Sequence, residues 1–391
     1  MSVAPLSPQL RLGVIGRTNK ENERRLPIHP DHLDRIDADL RSQIYLEQGY
    51  GAHFGVDDTE LSAHVAGVRS RESLIADCDV ILLTKPDSRD LAGLRPGQVL
   101  WGWPHCVQDR ELTQQAIDRR LTLIAFEAMN LWTRDGAYRL HVFHKNNEMA
   151  GCCSVLHALA IIGTTGTYGR RLRAAVLGFG ATARGAVTAL NAHGVHDIDI
   201  LTNRNVTEVA SPIHSARIVQ FDHDSHDADG LTSVAHTDSG PVPLADFLAE
   251  HDVVVNCVLQ DPNAPLTFLD LDDLEAFRPG SLIVDVSCDV AMGFSWAKPT
   301  SFAHPAITVG DNITYYAVDH SPSYLWNSAT WEISEALIPH LRPVLAGREA
   351  WEANQTVRRA IEIIDGTVRN PDILTFQHRR QEHPHSVIQP S

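Results

Sequence analysis

The segment Arg173–Gly194 constrains the fold of this chain more than any other. It reads RAAVLGFGATARGAVTALNAHG: an apolar run, Ala174–Leu177, then a turn, Gly178-Phe-Gly180-Ala-Thr-Ala183, then a helical stretch. That stretch puts Ala183, Ala186, Val187 and Leu190 on one face before Gly194 ends it. Strand, Gly-rich turn and helix in this order form a seat for a dinucleotide pyrophosphate. Gly178 permits the tight turn, Gly180 lets the backbone approach the phosphates, and Ala183 lets the helix pack on the strand. The helix start then offers unpaired N–H groups and the positive end of its dipole. Gly178, Gly180, Ala181 and Thr182 are therefore expected to line a phosphate site. A strand–turn–helix with no ligand is the alternative. The following strand, Asp197–Thr202, runs into Thr202-Asn203-Arg204-Asn205, with no carboxylate to receive a ribose 2′-hydroxyl. An arginine among small polar donors suits a 2′-phosphate, which predicts NADPH over NADH. NADH stays possible if Arg204 is a solvated loop residue.

Apolar runs alternate with helical stretches along the rest of the chain. Strands are expected at Leu12–Ile15, Ile44–Glu47, Val80–Thr84, Val99–Trp103 and Leu121–Phe126, and again at Asp252–Val258, Ser281–Val286 and Tyr315–Val318. This alternation predicts βαβ units and parallel sheets. At 391 residues the chain is long enough for two domains. Asn146–Thr165, with Ala150, Val155, Leu156, Leu159 and Ile162 at helical spacing, reads as a buried connecting helix. Helical spacing also marks Trp331–Leu345 and Glu349–Ile364. His223–Gly240, rich in Asp, His, Ser and Gly, reads as a solvated loop; its histidines lack the spacing of metal ligands. Gln377–Ser391 reads as a frayed polar end.

Several function classes are disfavoured. With 33 Lys+Arg against 49 Asp+Glu, the chain has no basic surplus for nucleic acid. No run approaches 18 uncharged apolar residues, and MSVAPLSPQLRLG is no export signal, so no membrane association is expected. Six scattered cysteines, Cys152 and Cys153 adjacent within a helix, fit a reducing, cytoplasmic setting, and no metal is expected.

Three residues stand where a strand ends and chemistry is feasible. Asn22-Glu-Arg-Arg25 offers a guanidinium for a carboxylate. Lys85 follows Val80–Thr84, so its ammonium emerges at the carboxyl edge of a sheet, where α/β proteins bind ligands. His105 follows Leu100-Trp-Gly-Trp-Pro104 and could move a proton near neutral pH. Taken together, this order of motifs resembles the alanine dehydrogenase and pyridine nucleotide transhydrogenase family over about residues 10 to 345. The resemblance implies that Arg25, Lys85 and His105 line a substrate pocket. It also implies that Asp289, in Val284-Asp-Val-Ser-Cys-Asp289, stands near the nicotinamide, and that Val258 and Leu259 touch the cofactor.

Departures from the family pattern point to a narrower branch. Leu83-Thr-Lys85-Pro, Thr202-Asn-Arg204, His144-Lys-Asn-Asn-Glu148-Met-Ala-Gly151 and Val318-Asp319-His320-Ser-Pro322 together resemble N5-(carboxyethyl)ornithine synthases. The resemblance implies two Rossmann-like α/β domains, doubly wound on parallel sheets, with a cleft between them. The substrate domain is expected at 1–140 and 319–391, the nucleotide domain at 141–318, and the molecule is expected as a homo-oligomer. It further implies NADPH-dependent joining of pyruvate to the side-chain amine of ornithine or lysine. His105, Lys85 and Asp289 would then be catalytic. Arg25 and Lys85 would bind the 2-oxo acid, and Glu148, Asp319 and His320 the amino acid. An alanine dehydrogenase using ammonia and a non-catalytic dinucleotide sensor are the alternatives.

Overall fold

The structure is a computed structural model that describes residues 9–203, 213, 215–223, 233–261 and 264–388. The chain forms two compact units, one of residues up to His144 joined by those from Trp326 onward, the other Lys145–Leu325.

In the first unit the chain lays down β1 (Leu12–Val14), β2 (Ile44–Glu47), β3 (Gly67–Arg69), β4 (Val80–Leu82), β5 (Val99–Gly102) and β6 (Thr122–Ala125), then a hairpin of β7 (Asn130–Trp132) and β8 (Tyr138–His141). The second unit holds β9 (Arg173–Leu177), β10 (Asp197–Thr202), β11 (Arg217–His223), β12 (Ser233–Thr237), β13 (Gly240–Pro243), β14 (Val253–Asn256), β15 (Thr267–Leu269), β16 (Leu282–Asp285), β17 (Gly293–Phe294), β18 (Ala306–Val309) and β19 (Ile313–Tyr316). The returning chain adds β20 (Ile361–Ile364) and β21 (Thr367–Val368) to the first.

The first sheet has the order β21-β20-β6-β5-β4-β1-β2-β3, parallel from β6 through β3. VIL, VLWG and TLIA are buried along their whole length, as strands covered on both faces must be. From β1 the chain moves one way to β2 and β3, then crosses back to β4, β5 and β6. The order of strands thus reverses between β1 and β4, and their carboxyl ends flank a topological switch point, where open α/β sheets take their ligands. The helix Trp326–Leu345 closes this unit's core with Ile333, Leu337, Leu341, Val344 and Leu345, the stripe of an amphipathic helix.

The second sheet repeats the scheme: β11-β10-β9-β14-β16-β19 run parallel, with β12, β13 and β18 antiparallel at the edges. Its switch point lies between β9 and β14. The connecting helix is His144–Ile161. Gly151 and Gly185 let it cross the helix Ala181–Ala192 almost backbone to backbone: a Cβ on Gly185 would fall 1.7 Å from the Glu148 carbonyl, one on Gly151 1.9 Å from that of Thr182. Both units are therefore Rossmann-like α/β layers. Among the described residues, no helix is long and apolar enough to cross a membrane.

Three segments differ from expectation. Part of the expected loop His223–Gly240 is strand β12, and the chain turns there into β13; polar edge strands carry little apolar signal. Glu349–Ile364 is two short helices, Arg348–Ala353 and Gln355–Ala360, followed by β20, where the β-branched run Ile361-Glu-Ile-Ile pairs with β6. The expected frayed end is instead packed onto the first unit at Gln377 and Arg379. Gln377 is fully buried and donates to the Cys106 carbonyl at 2.6 Å, while Arg379 donates to Gln377 Oε1 and Gln114 Oε1, each at 2.7 Å. Polar composition hid a segment held by long-range hydrogen bonds.

Candidate functional site

In the first unit, Arg25, Lys85 and His105 follow the ends of β1, β4 and β5, on both sides of the switch point. Local interactions tie Arg25 to the residues just before Lys85 and His105. The Thr84 hydroxyl donates to the Arg25 carbonyl at 3.1 Å, and the Trp103 amide donates to the Thr84 carbonyl at 3.0 Å. The Arg25 guanidinium lies 5.3 Å from the centre of the Trp103 ring. Arg25 is 4% exposed, and its Nε and Nη2 donate to Glu23 at 2.8 and 2.5 Å. A buried guanidinium needs such a counter-charge, and two parallel contacts also fix the plane of the fork.

The loops past Lys85 and His105 are pinned further on by helix caps. Asp87 forms a capping box with Asp90 at the start of Ser88–Ala92, and Asp109 caps Arg110–Asp118 through the Leu112 amide at 2.9 Å. His105 has a φ of +48°, a left-handed conformation uncommon for a side-chain-bearing residue. Its amide donates to Glu127 Oε1 at 2.7 Å, and its carbonyl accepts from the Gln108 and Asp109 amides. Elsewhere in this unit, a cavity of about 520 Å³ is lined by Asp79, Gln98, Arg95 and Arg348 among others. It lies at the amino-terminal end of the sheet and holds none of the candidate residues.

The second unit presents the Gly-rich turn after β9. Gly178 has a φ of +103°, and its amide donates to the Leu201 carbonyl of β10 at 2.8 Å. A Cβ on Gly180 would meet no atom within 4 Å, so the backbone there borders open space. No side chain caps the helix that starts at Ala181, leaving the N–H groups of its first turn, Thr182 included, pointed outward. Open space, a bare helix start and the dipole behind it fit a dinucleotide pyrophosphate. Thr202 is buried at the end of β10 and Asn203 is exposed beside it. Arg204 lies outside the described residues.

Two neighbouring strand ends carry the remaining residues expected to face the cofactor. Val258 and the 94% exposed Leu259 follow β14, and Asp289 follows β16, half-buried. One network stitches these loops together, centred on Asp285. Its Oδ1 accepts from Asn256 at 3.0 Å and from the Cys288 amide at 3.1 Å, and its Oδ2 accepts from the Tyr315 hydroxyl at 2.7 Å. Asn256 Oδ1 in turn accepts the Val258 amide, and Ser287 donates to the Val258 carbonyl at 2.5 Å.

Burial pushes the Asp285 carboxyl up to about 6, against the hydrogen bonds from Tyr315, Cys288 and Asn256. A carboxyl raised in the fold keeps a proton that the unfolded chain gives up near pH 3.8, so it is worth most in acid. Its contribution declines by about 3 kcal/mol as pH rises from about 4 to about 6. Asp285→Asn should flatten that part of the stability–pH curve, measured by urea unfolding at a series of pH values; an unchanged slope would contradict this account of Asp285.

The residues assigned to the amino-acid end are engaged locally. Glu148 pairs with Lys145 at 2.8 Å, one helical turn away. Asp319 Oδ1 lies 2.6 Å from His320 Nδ1, and His320 is buried edge-on to Phe302. Ser321 donates to the Ala150 carbonyl at 3.1 Å, which docks this turn on the Glu148 helix two residues further along. Sequence reasoning missed Glu23, Trp103, Glu127, Asn256 and Asp285. For Asp285 the signal was present, as the first aspartate of the Val284-to-Asp289 motif.

The alanine dehydrogenase/PNT N-terminal domain family model matches residues 14–150, and the corresponding C-terminal domain model matches residues 158–371. An N(5)-(carboxyethyl)ornithine synthase of Clostridium botulinum is 24% identical over 83% of this chain and 91% of its own. An alanine dehydrogenase of Mycobacterium tuberculosis is 25% identical over 97% of this chain and all of its own. Among solved structures, an L-alanine dehydrogenase superposes with a TM-score of 0.72 at 20% identity, covering 94% of this chain and 99% of that one. The two domain models between them span most of the sequence, so the chain belongs to the alanine dehydrogenase/PNT family.

Proposed function

We propose that this protein is an NADPH-dependent reductase that joins pyruvate to the side-chain amine of ornithine or lysine, giving an N-(1-carboxyethyl) amino acid. The observation that carries the reading is the placement of Arg25, Lys85 and His105 after strand ends on both sides of one sheet's switch point, in a chain whose other sheet offers an uncapped Gly-rich turn. The relatives named above include an N(5)-(carboxyethyl)ornithine synthase and an alanine dehydrogenase, which supports both readings.

In this reading Arg25, its plane fixed by Glu23 and Trp103, binds the 2-oxo acid carboxylate. Lys85 polarises the adjacent carbonyl oxygen. The uncharged amine attacks the carbonyl carbon; His105 delivers a proton to the departing oxygen, water leaves, and a C=N bond remains. Asp289 orients the amine. The nicotinamide, when bound, supplies a hydride for that imine. Pyruvate, amine, NADPH and a proton thus become the secondary amine, water and NADP. Gly178, Gly180, Ala181 and Thr182 would hold the pyrophosphate, Thr202, Asn203 and Arg204 the 2′-phosphate, and Val258 and Leu259 the nicotinamide side.

Glu148 and the Asp319–His320 pair are assigned to the far ammonium and carboxylate of the diamino acid. Their local pairing favours a second reading, alanine dehydrogenase, in which only ammonia need enter and these side chains stay with their present partners. NADPH oxidation with pyruvate and either ornithine, lysine or ammonium separates the two. The first reading expects turnover with a diamino acid, and turnover with ammonium alone would replace it by the second.

The cofactor assignment has its own test. Arg204→Ala removes one charge-assisted contact, so it should weaken NADPH binding by about 1.5–3 kcal/mol and leave NADH nearly unchanged. Equal losses for both cofactors, by titration calorimetry, would take Arg204 out of the site.

A further inference from the structure

A second place at the carboxyl edge of the first sheet has the form of a binding site, and no step of the reaction above uses it. A cavity of about 370 Å³ opens where β1, β2 and β3 end. Arg17 and Asn19 line it from the loop after β1, Glu47 from the last position of β2, and Ser70, Arg71 and Glu72 from the chain after β3. Ligand pockets run from about 300 to 1,000 Å³, so this one suits a small molecule.

Glu47 organises the pocket. It is 2% exposed, and its carboxylate accepts the Gly16 amide at 2.9 Å, the Arg17 amide at 3.2 Å, Arg17 Nη2 at 3.3 Å and Arg71 Nε at 3.0 Å. Arg71 also donates to the Arg17 carbonyl and, at 3.4 Å, to Asp90. Asp90 accepts from Asn19 at 2.9 Å and closes the capping box that begins at Asp87, two residues past Lys85. The lining is thus fixed by one buried carboxylate and tied to the loop that carries Lys85.

Two charges are left on display. The Arg17 side chain is 76% exposed and gives Glu47 a single N–H, while its backbone is pinned by the same carboxylate. Glu72 is exposed as well, and its own amide and the Ser70 hydroxyl hold its carboxyl below the usual range, so it is ionised at neutral pH. A phosphate or a simple carboxylate would meet Glu72 as a like charge, and a simple ammonium would meet Arg17 as one. A molecule carrying both groups a few bonds apart satisfies both walls.

We propose that this pocket binds the head of a free α-amino acid, its carboxylate on Arg17 and its ammonium on Glu72. That amino acid is either the diamino acid whose far amine reacts beside Lys85, which rests on the reading given above, or a separate effector. In the first case the pocket takes the part assigned to Glu148, Asp319 and His320, which have local partners.

Titration calorimetry at low salt tests the site on the wild type, Arg17→Ala and Glu72→Gln, with alanine, ornithine, lysine, putrescine, acetate and inorganic phosphate as probes. Both substitutions alter exposed side-chain ends and leave the Glu47 contacts to backbone amides intact, so melting temperatures should stay within about 2 °C of wild type. The three amino acids should bind, and putrescine, acetate and phosphate should bind at least about tenfold more weakly. Each variant should lose about five- to tenfold in amino-acid affinity, the size of one charge-assisted contact at a partly wet site. Turnover with a diamino acid, titrated with alanine, separates the two sources. Alanine that competes in the wild type but not in Arg17→Ala places the head of the reacting molecule here; alanine that changes the rate without competing makes it an effector. Amino acids that bind equally well to all three proteins, or to none of them, would overturn the site. Phosphate or acetate binding as tightly as alanine, with Glu72→Gln without effect, would make it a plain anion site and overturn the amino-acid assignment. The calorimetry needs no turnover, so failure of the reductive-condensation reading would leave its result standing.

Discussion

His105→Ala is expected to lower turnover by about 100- to 10,000-fold while NADPH still binds. The range is that of a positioned acid–base group. Loss of water from a carbinolamine needs a proton at the departing oxygen, a role the proposed function gives to His105. The wild-type backbone is held in a left-handed conformation by hydrogen bonds to Glu127 and within the turn to Asp109. Alanine there removes the imidazole and keeps those hydrogen bonds. Stopped-flow binding of NADPH beside steady-state rates separates the effects. Turnover near that of the wild type would remove His105 from the chemistry.

The second large effect is structural. Gly185→Val should destabilise the second unit by about 3 kcal/mol or more, because a Cβ at that position falls 1.7 Å from the Glu148 carbonyl. The atom in the way is backbone, so no side-chain rotation relieves the contact. The two helices must part, and with them the start of Ala181–Ala192 shifts from the turn that Gly178 begins. Chemical unfolding should show a lowered midpoint. A variant as stable as the wild type would mean that the helices do not cross where the structure has them.

What could be read from residues follows the range of the forces involved. VIL, VLWG and TLIA were legible because strands covered on both faces are continuously apolar, and the Gly178 turn because its residue types serve the backbone locally. Lys85 and His105 were legible as the first polar residues past those strands. Their supports were not: Trp103 beneath Arg25, Glu127 under His105 and Asn256 on Asp285 are pairings across the sheet that no period encodes. β20 was hidden because its four residues follow directly on two short helices with helical spacing of their own. The ordered segment around Gln377 and Arg379 was hidden because its partners, Cys106 and Gln114, stand more than 260 residues earlier.

The account turns on which amine is joined to the 2-oxo acid. Mass spectrometry of the products formed from pyruvate and NADPH, with ornithine, lysine and ammonium offered together, tests it most directly. The account predicts the mass of ornithine or lysine increased by one 1-carboxyethyl group, with fragmentation placing that group on the side-chain nitrogen. Alanine as the sole product, formed from ammonium while both diamino acids are recovered unchanged, would contradict it.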